Sequence, residues 1–229
     1  QKRMLGTVVS GNYLYRRRTL GESSAIQNSE KNYNWYIPYL KFFVEDICKY
    51  SIQKLGYIPY FVQYSLMYDL QWKLKQEKLP AGILSPAEKD MYYRLMFQLI
   101  SKFDDKIILE QKNLPIEYKA FLLRKKYQKF PESIYCDEDI SLYFDNTYVT
   151  SFSKHKFVID FIILEEELLT IEGYGVYIPF GEQHDVQIIV SINGKLHPCE
   201  FIARDKNKYI NGEVVLNSIG FRCVIPTKN

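Results

Sequence analysis

The sequence contains few of the residues that build metal centres and disulfide frameworks. Among its 229 residues are four cysteines and three histidines. The cysteines are far apart and form no Cys-x-x-Cys pair, which indicates a reducing compartment and argues against a structural zinc site. The histidines show no ligand spacing, so we expect this chain to bind no metal. These residues are Cys48, Cys136, Cys199, Cys223, His155, His184 and His197.

Long apolar runs are also absent. The longest candidate extends from Phe157 to Leu164, is interrupted by Asp160 and is followed by Glu165–Glu167, whereas a membrane span needs about 20 apolar residues. We therefore expect no transmembrane segment, and no signal peptide is recognisable. These absences predict a cytoplasmic protein, with the inner face of the membrane as the alternative. The chain begins at Gln1 without Met, which suggests a piece of a longer protein.

The charge has no strong bias towards either sign. Lys and Arg number 30 against 27 Asp and Glu, which gives a net charge of +3, whereas a dedicated nucleic-acid binder usually has a larger basic excess. We therefore expect no nucleic-acid partner. Aromatic residues are abundant, with 20 Tyr and 14 Phe, and such side chains pack in cores more often than they bind sugars.

The pattern of apolar residues changes near residue 133. Residues 34–127 carry helical periods and residues 134–226 carry strand periods, an order that favours an α+β fold. We predict a helical bundle over 34–132 and an antiparallel β-sandwich over 133–229.

Local signals define the helices. Gly56 ends the first, and Ser85-Pro86-Ala87-Glu88 is a capping box that starts the third. Apolar residues cover most of the second helix, so we expect it at the centre of the bundle. Helices are predicted over 35–55, from 58 through 74, from Ser85, after Asp104-Asp105 and over 115–127.

Turn signals separate the strand-like segments. Asn193-Gly194 predicts a type I′ hairpin turn, and Glu165–Glu167 lies between two strand-like runs as a turn or a protected edge. The segments lie near 141–151, 156–164, 167–178, 186–192, 196–204 and 219–225.

The stretch from Tyr13 to Ser24 is the most informative for function. A strand-like run ends in Arg16–Arg18, and a loop with Gly21 then presents two serines. Guanidinium groups bind phosphate oxygens in pairs and hydroxyls add neutral donors, so such a loop suits a diphosphate. The alternative is a basic surface strand followed by a turn.

This stretch resembles the loop that follows the catalytic base in family 2 glycosyltransferases of the GT-A fold, especially those that act on teichoic acids and capsular polysaccharides. The resemblance implies that residues 1–33 are the tail of a GT-A domain. It also implies that Arg17 with Ser23, or Arg18 with Ser24, contacts the diphosphate of a nucleotide-sugar donor. The consecutive arginines leave the register between the two pairs open.

The resemblance extends beyond the loop. The run from Ile58 to Trp72 and the run from Phe103 to Ile108 are similar to the helical extension of these enzymes, and residues 133–229 resemble their accessory sandwich. Buried polar groups on a helix must find partners. The polar side chains of the second helix are therefore candidates for structural hydrogen bonds, or for contacts with the acceptor or an upstream GT-A domain: Gln63, Asp69, Gln71 and Trp72.

The catalytic carboxylates of these enzymes have no counterpart here. The family uses an Asp-x-Asp motif to hold a divalent metal and an Asp base to activate the acceptor. Asp137-Glu138-Asp139 has the spacing but lies at the junction between helices and strands, where a solvated charge run is expected. We assign no catalytic or metal-binding residue to this chain, while Mg²⁺ or Mn²⁺ is expected for the intact enzyme. The chain alone should not transfer sugar.

The sequence thus predicts an accessory and part-donor-site segment of an enzyme that transfers a sugar to a cell-surface polysaccharide or a polyol-phosphate acceptor. The alternative is a non-catalytic module that binds carbohydrate or pairs with a second copy. A third interpretation, a single-stranded nucleic-acid binder that uses Tyr13, Tyr15 and Arg16–Arg18, agrees poorly with the charge balance.

Overall fold

The computed structural model describes residues 29–76, 79–136, 139–181 and 187–227. The first part of this region is helical. A helix begins as α1, passes through a π-helical stretch at Leu40–Glu45 and continues as α2. The helices are α1 (Ile37–Tyr39), α2 (Asp46–Leu55), α3 (Tyr60–Leu74), α4 (Pro86–Ile100), α5 (Asp105–Leu109) and α6 (Ile116–Tyr127).

The helix ends follow their sequence signals. Gly56 has φ of 78° and donates its N–H to the Ile52 carbonyl at 2.8 Å, so a residue that tolerates the left-handed region ends α2. At the start of α4, the Ser85 N–H donates to the Glu88 carboxylate at 2.9 Å, and the Glu88 N–H donates to Ser85 Oγ at 3.3 Å. The predicted capping box is therefore confirmed.

The two aspartates before the short helix have different roles. Asp104 caps α5 by accepting from the Lys106 N–H at 2.9 Å. Asp105 instead accepts from Lys126 at 2.7 Å and from the Tyr127 and Thr147 hydroxyls at 2.6 and 3.1 Å. Asp105 therefore ties α5 to α6 and to the first sheet.

The second part of the chain is built from antiparallel strands. One sheet has the order β1-β2-β3, a second has the order β4-β5-β10-β8 with β9 also paired to β10, and β6 and β7 form a hairpin. The strands are β1 (Glu132–Cys136), β2 (Asp139–Phe144), β3 (Thr147–Ser151), β4 (Lys156–Glu165), β5 (Leu168–Tyr177), β6 (Ile189–Ile192), β7 (Lys195–Pro198), β8 (Glu200–Ile202), β9 (Lys208–Ile210) and β10 (Glu213–Pro226).

The predicted α+β class, with a β-sandwich-like second part, is confirmed. Asn193 and Gly194 have φ of 50° and 77° between β6 and β7, as a type I′ turn requires. Three details differ from the prediction: β1 and β9 were not foreseen, the run over 196–204 is two strands, and the run over 219–225 is half of the 14-residue β10. The polar pair Asn217-Ser218 hides the continuity of β10, which pairing with β5 maintains.

One buried cluster joins the helices to the strands. It contains core residues of the helical part, such as Tyr36, Leu70 and Tyr92, together with Phe144 and Val215 from the strands. The predicted domain limits at 33/34 and 132/133 stay predictions, although helix gives way to strand at Glu132. In the part of the chain that the structure describes, no helix is long and apolar enough to cross a membrane.

Candidate functional site

The predicted donor-binding residues lie outside the described residues. Arg17, Arg18, Ser23 and Ser24 all precede residue 29, where the description begins. Their assignment to the donor diphosphate stays a prediction. Asp137 and Glu138 of the acidic run also lie outside the described residues.

Two of the polar residues on α3 make structural hydrogen bonds. Gln63 is buried; its amide nitrogen donates to the Ile58 carbonyl at 2.7 Å, and its oxygen accepts from the Asp104 N–H at 2.6 Å. It therefore joins the start of α3 to the cap of α5. Gln71 is fully buried and donates to the Tyr68 carbonyl at 2.9 Å, while its side-chain oxygen has no partner among the described residues.

Asp69, a third polar residue on α3, lies near a buried cation. Lys73 is fully buried, donates to the Trp35 carbonyl at 3.0 Å and lies 3.4 Å from the centroid of the Trp35 ring. Burial lowers the pKa of Lys73 to about 8, against the opposing effect of the nearby Asp69 charge. The Tyr39 hydroxyl bonds to Asp69, and burial with this bond raises the pKa of Tyr39. Trp72 is half-exposed.

Part of α3 faces away from the core. This corrects the expectation that α3 lies at the centre of the bundle: only one of its faces is buried, and the bulky side chains on the other face are aromatic. The exposed aromatic residues are Tyr60, Phe61, Tyr64, Tyr68 and Trp72. The structure thus presents Trp72 at a surface and keeps Gln63 and Gln71 inside.

A cavity between the helical part and the sheet has the strongest concentration of unbalanced charge. It has a volume of about 540 Å³, and we call it the lysine pocket. Its basic residues come from the turn before β4 and from the segment that leads into β9. The lining includes Lys154, Lys156, Lys206 and Lys208, with Glu117 at the start of α6.

Internal partners account for only part of this charge. Lys208 is 2.9 Å from the Glu117 carboxylate, and Lys154 donates to the Tyr148 hydroxyl at 3.0 Å. The Lys206 ammonium lies 5.8 Å from the centroid of the Tyr174 ring without a carboxylate contact, and Lys156 has no ion pair among the described residues. The lining contains four lysines and one carboxylate, an excess of three positive charges.

The His155 side chain has a structural role in this pocket. Its Nε2 accepts from the Ile178 N–H at 3.1 Å, which leaves Nδ1, 3.2 Å from the Phe152 carbonyl, as the donor. Burial lowers the pKa of His155, although bonds to the Phe152 and Ser151 backbone oppose this. The ring is therefore a neutral support between two lysines.

The pocket has the properties of a site for a phosphorylated chain. Ammonium groups bind phosphate oxygens as point charges, while Tyr174, Val158 and Val176 supply a ring and apolar walls for the carbon part of a ligand. The sequence alone does not identify these lysines as a site. Lys-x-Lys occurs at 154–156 and at 206–208, yet nothing local shows that the two pairs meet.

A second cavity beside α6 is larger, at about 760 Å³, but its charges are internally satisfied. Arg124 donates to the Val214 carbonyl at 2.6 Å, Lys125 bonds to Glu213, and Lys129 contacts Glu132 and Asp145 at 2.8 and 2.6 Å. The contacts of Arg124 and Lys125 hold α6 against β10. Larger volume therefore does not make this cavity the better site.

The described residues offer no group of three or more His, Cys, Asp or Glu side chains that could hold a metal ion. They provide no ligand set for the divalent ion that the sequence resemblance implies for an intact enzyme. We therefore derive no chemical step through such an ion.

Comparison with known proteins gives one curated relative. Over 234 aligned residues, which cover 99% of this chain, the sequence is 30% identical to the minor teichoic acid biosynthesis protein GgaB of Bacillus subtilis (strain 168). The chain spans 25% of the length of that protein. No family model and no solved structure matches. The chain is thus similar, over nearly all of its length, to one quarter of a protein of teichoic acid synthesis.

Proposed function

We propose that the chain is a segment of a glycosyltransferase that acts in teichoic acid synthesis, and that its lysine pocket binds the phosphodiester backbone of the acceptor polymer. The excess of positive charge in the pocket is the observation that carries this assignment. A polyol-phosphate chain, the acceptor that the sequence resemblance implies, offers in each repeat one anionic group for a lysine and one short carbon segment for an apolar wall. The similarity to a teichoic acid biosynthesis protein supports this choice of polymer.

Binding of a polyanion through the lysines of the pocket can be measured directly. We expect a poly(glycerol phosphate) oligomer to bind the chain, and Lys206→Met to weaken this binding by about tenfold, because a charge-assisted hydrogen bond contributes about 1.5–3 kcal/mol. Isothermal titration calorimetry at low ionic strength measures the dissociation constant. Higher salt should weaken binding of the oligomer to the unmodified chain and to Lys206→Met, since the contact is ionic.

Lys112→Met is the matched control. Lys112 is exposed and does not line the pocket, so its replacement removes the same charge elsewhere and should leave the dissociation constant unchanged. An equal loss in the two variants would mean non-specific attraction and would contradict the assignment. Equally strong binding of a neutral dextran would favour the alternative of a general carbohydrate-binding module.

The donor side of the proposal involves Arg17, Arg18, Ser23 and Ser24, as the loop resemblance implies. In the full-length enzyme, which would include an upstream GT-A domain and a bound Mg²⁺ or Mn²⁺, we expect Arg17→Ala or Arg18→Ala to weaken nucleotide-sugar binding by about tenfold. Equilibrium binding of the donor measures the effect. Unchanged affinity in both variants would contradict the loop assignment and leave the acceptor assignment intact.

A further inference from the structure

Strand β4 is an open and unusually apolar edge. It pairs with β5 on one side and with no strand on the other among the described residues. All ten of its residues are exposed. Natural proteins protect such an edge with charges or by covering it. Seven of its ten residues are large and apolar, with exposures from 36% to 66%: Phe157, Val158, Ile159, Phe161, Ile162, Ile163 and Leu164.

A bulge in the middle of β4 changes which residues share a face. Pairing with β5 is regular up to Ile159, shifts by one, and resumes at Phe161. Since paired residues lie on the same face, Lys156 and Val158 share a face with Phe161, Ile163 and Glu165. The opposite face carries Phe157, Ile159, Ile162 and Leu164.

We propose that a second copy of this chain covers β4 by pairing with it antiparallel, so that Lys156 lies opposite Glu165 of the second copy. The two residues are the charged ends of an otherwise apolar strand with one central aspartate. In this register the four pairs outside the bulge each keep to one face, because the bulge shifts the alternation of faces by one residue near the two-fold axis. The other pairs are Phe157 with Leu164, Val158 with Ile163 and Ile159 with Ile162.

Charge selects this arrangement over the other ways of joining two edges. A parallel arrangement would place Lys156 beside Lys156 and Glu165 beside Glu165, which is repulsive. The antiparallel arrangement makes two attractive pairs and brings the Glu165–Glu167 end of each copy to the Lys154–Lys156 end of the other. Neither Lys156 nor Glu165 has an ion pair within the described residues, so both are available.

Lys156 and Glu165 cannot form an ion pair with each other within one copy. A strand advances about 3.3 Å per residue, which puts Lys156 and Glu165 about 30 Å apart. Pairing through β4 would join the sheets of the two copies into one, with the order β8-β10-β5-β4 continued as β4-β5-β10-β8. Lys156 lines both the lysine pocket and the proposed interface, but Lys154, Lys206 and Lys208 remain in the pocket when Lys156 pairs with the second copy.

Charge exchange tests the proposal. Light scattering after size exclusion, over a dilution series, should show a dimer for the unmodified chain. Lys156→Glu alone and Glu165→Lys alone each place like charges opposite one another twice, so each should raise the dimer dissociation constant by about tenfold or more. The double variant Lys156→Glu/Glu165→Lys restores both pairs and should dimerise like the unmodified chain.

Two variants that replace exposed isoleucines test whether the apolar surface of β4 forms the interface. Ile162→Lys on β4 should give a monomer, whereas Ile134→Lys, an exposed isoleucine on the edge strand β1, should leave the dimer unchanged. Circular dichroism confirms that each variant is folded. A monomeric unmodified chain, a dimer that resists both single charge reversals, or a double variant that stays monomeric would each overturn the proposal.

Discussion

At the scale of single residues, Lys73 is the least expected feature of the helical part. Lys73 lies within the second helix predicted from the sequence, but its neighbours in the chain do not show that its side chain enters the core. Its ammonium is held by the Trp35 carbonyl and ring and by the Tyr39 ring at 4.5 Å. A buried cation with one nearby carboxylate costs stability that a well-packed apolar side chain would not.

The pKa of Lys73 predicts how stability depends on pH. Its folded value of about 8 is below the ordinary 10.5, so between these values the unfolded state holds a proton that the folded state has released. Raising the pH through this range therefore stabilises the fold, by up to about 1.4 kcal/mol per pH unit. Below pH 8 both states are protonated and the penalty is constant.

Urea denaturation of the chain and of Lys73→Met measures this effect. The free energy of unfolding of the unmodified chain, relative to the variant, should rise between pH 8 and pH 10 and stay flat below pH 8. Comparison with the variant removes the contribution of buried tyrosines, whose raised pKa values act above pH 10 in both proteins. A constant difference across the whole range would show that Lys73 titrates normally.

At the scale of elements, the features that the sequence predicted correctly are those set by residues adjacent in the chain. The cap at Ser85, the stop at Gly56 and the turn at Asn193-Gly194 are local signals, and all three are found. The strands β1 and β9 could not be predicted, since short segments become strands only by pairing with distant residues. For the same reason the lysine pocket was missed, whereas the buried role of Gln63 was among the predicted alternatives.

The glycines of β5 lead to a prediction about strand packing. A Cβ added at Gly173 would lie 2.1 Å from the Val158 carbonyl oxygen on β4, whereas one at Gly175 would meet the Phe157 ring at 2.6 Å. Backbone cannot move without breaking the ladder, but a ring can rotate. We expect Gly173→Ala to lower the free energy of unfolding by about 1–3 kcal/mol, and Gly175→Ala to lower it less.

Chemical denaturation of the two variants in parallel makes this comparison, with each glycine acting as the control for the other. The two residues lie on the same face of the same strand, so the change in strand propensity is shared. Equal losses, or a larger loss for Gly175→Ala, would mean that β4 is free to move away from β5.

At the scale of the whole molecule, the helical and β-rich parts are packed together more closely than the change of sequence pattern suggests. The transition near residue 133 marks a change of secondary structure, yet buried residues on both sides form one cluster. Contacts of α6 with β10, such as Arg124 with the Val214 carbonyl, continue this link at the surface. Composition and periodicity report the class of each segment, but which segments share a core depends on contacts that only the folded chain reveals.

The position of β10 has a consequence for how the protein is made. Strand β5 lies between β4 and β10, and Ile171 is buried against Phe221, Cys223 and Ile225 of β10. A ribosome adds about 5–20 residues per second, so the hairpin of β4 and β5 emerges roughly 2 to 10 s before its covering strand. During that interval the apolar hairpin of β4 and β5 is exposed on the nascent chain. This is therefore the stage of synthesis at which a chaperone has the most apolar surface to cover.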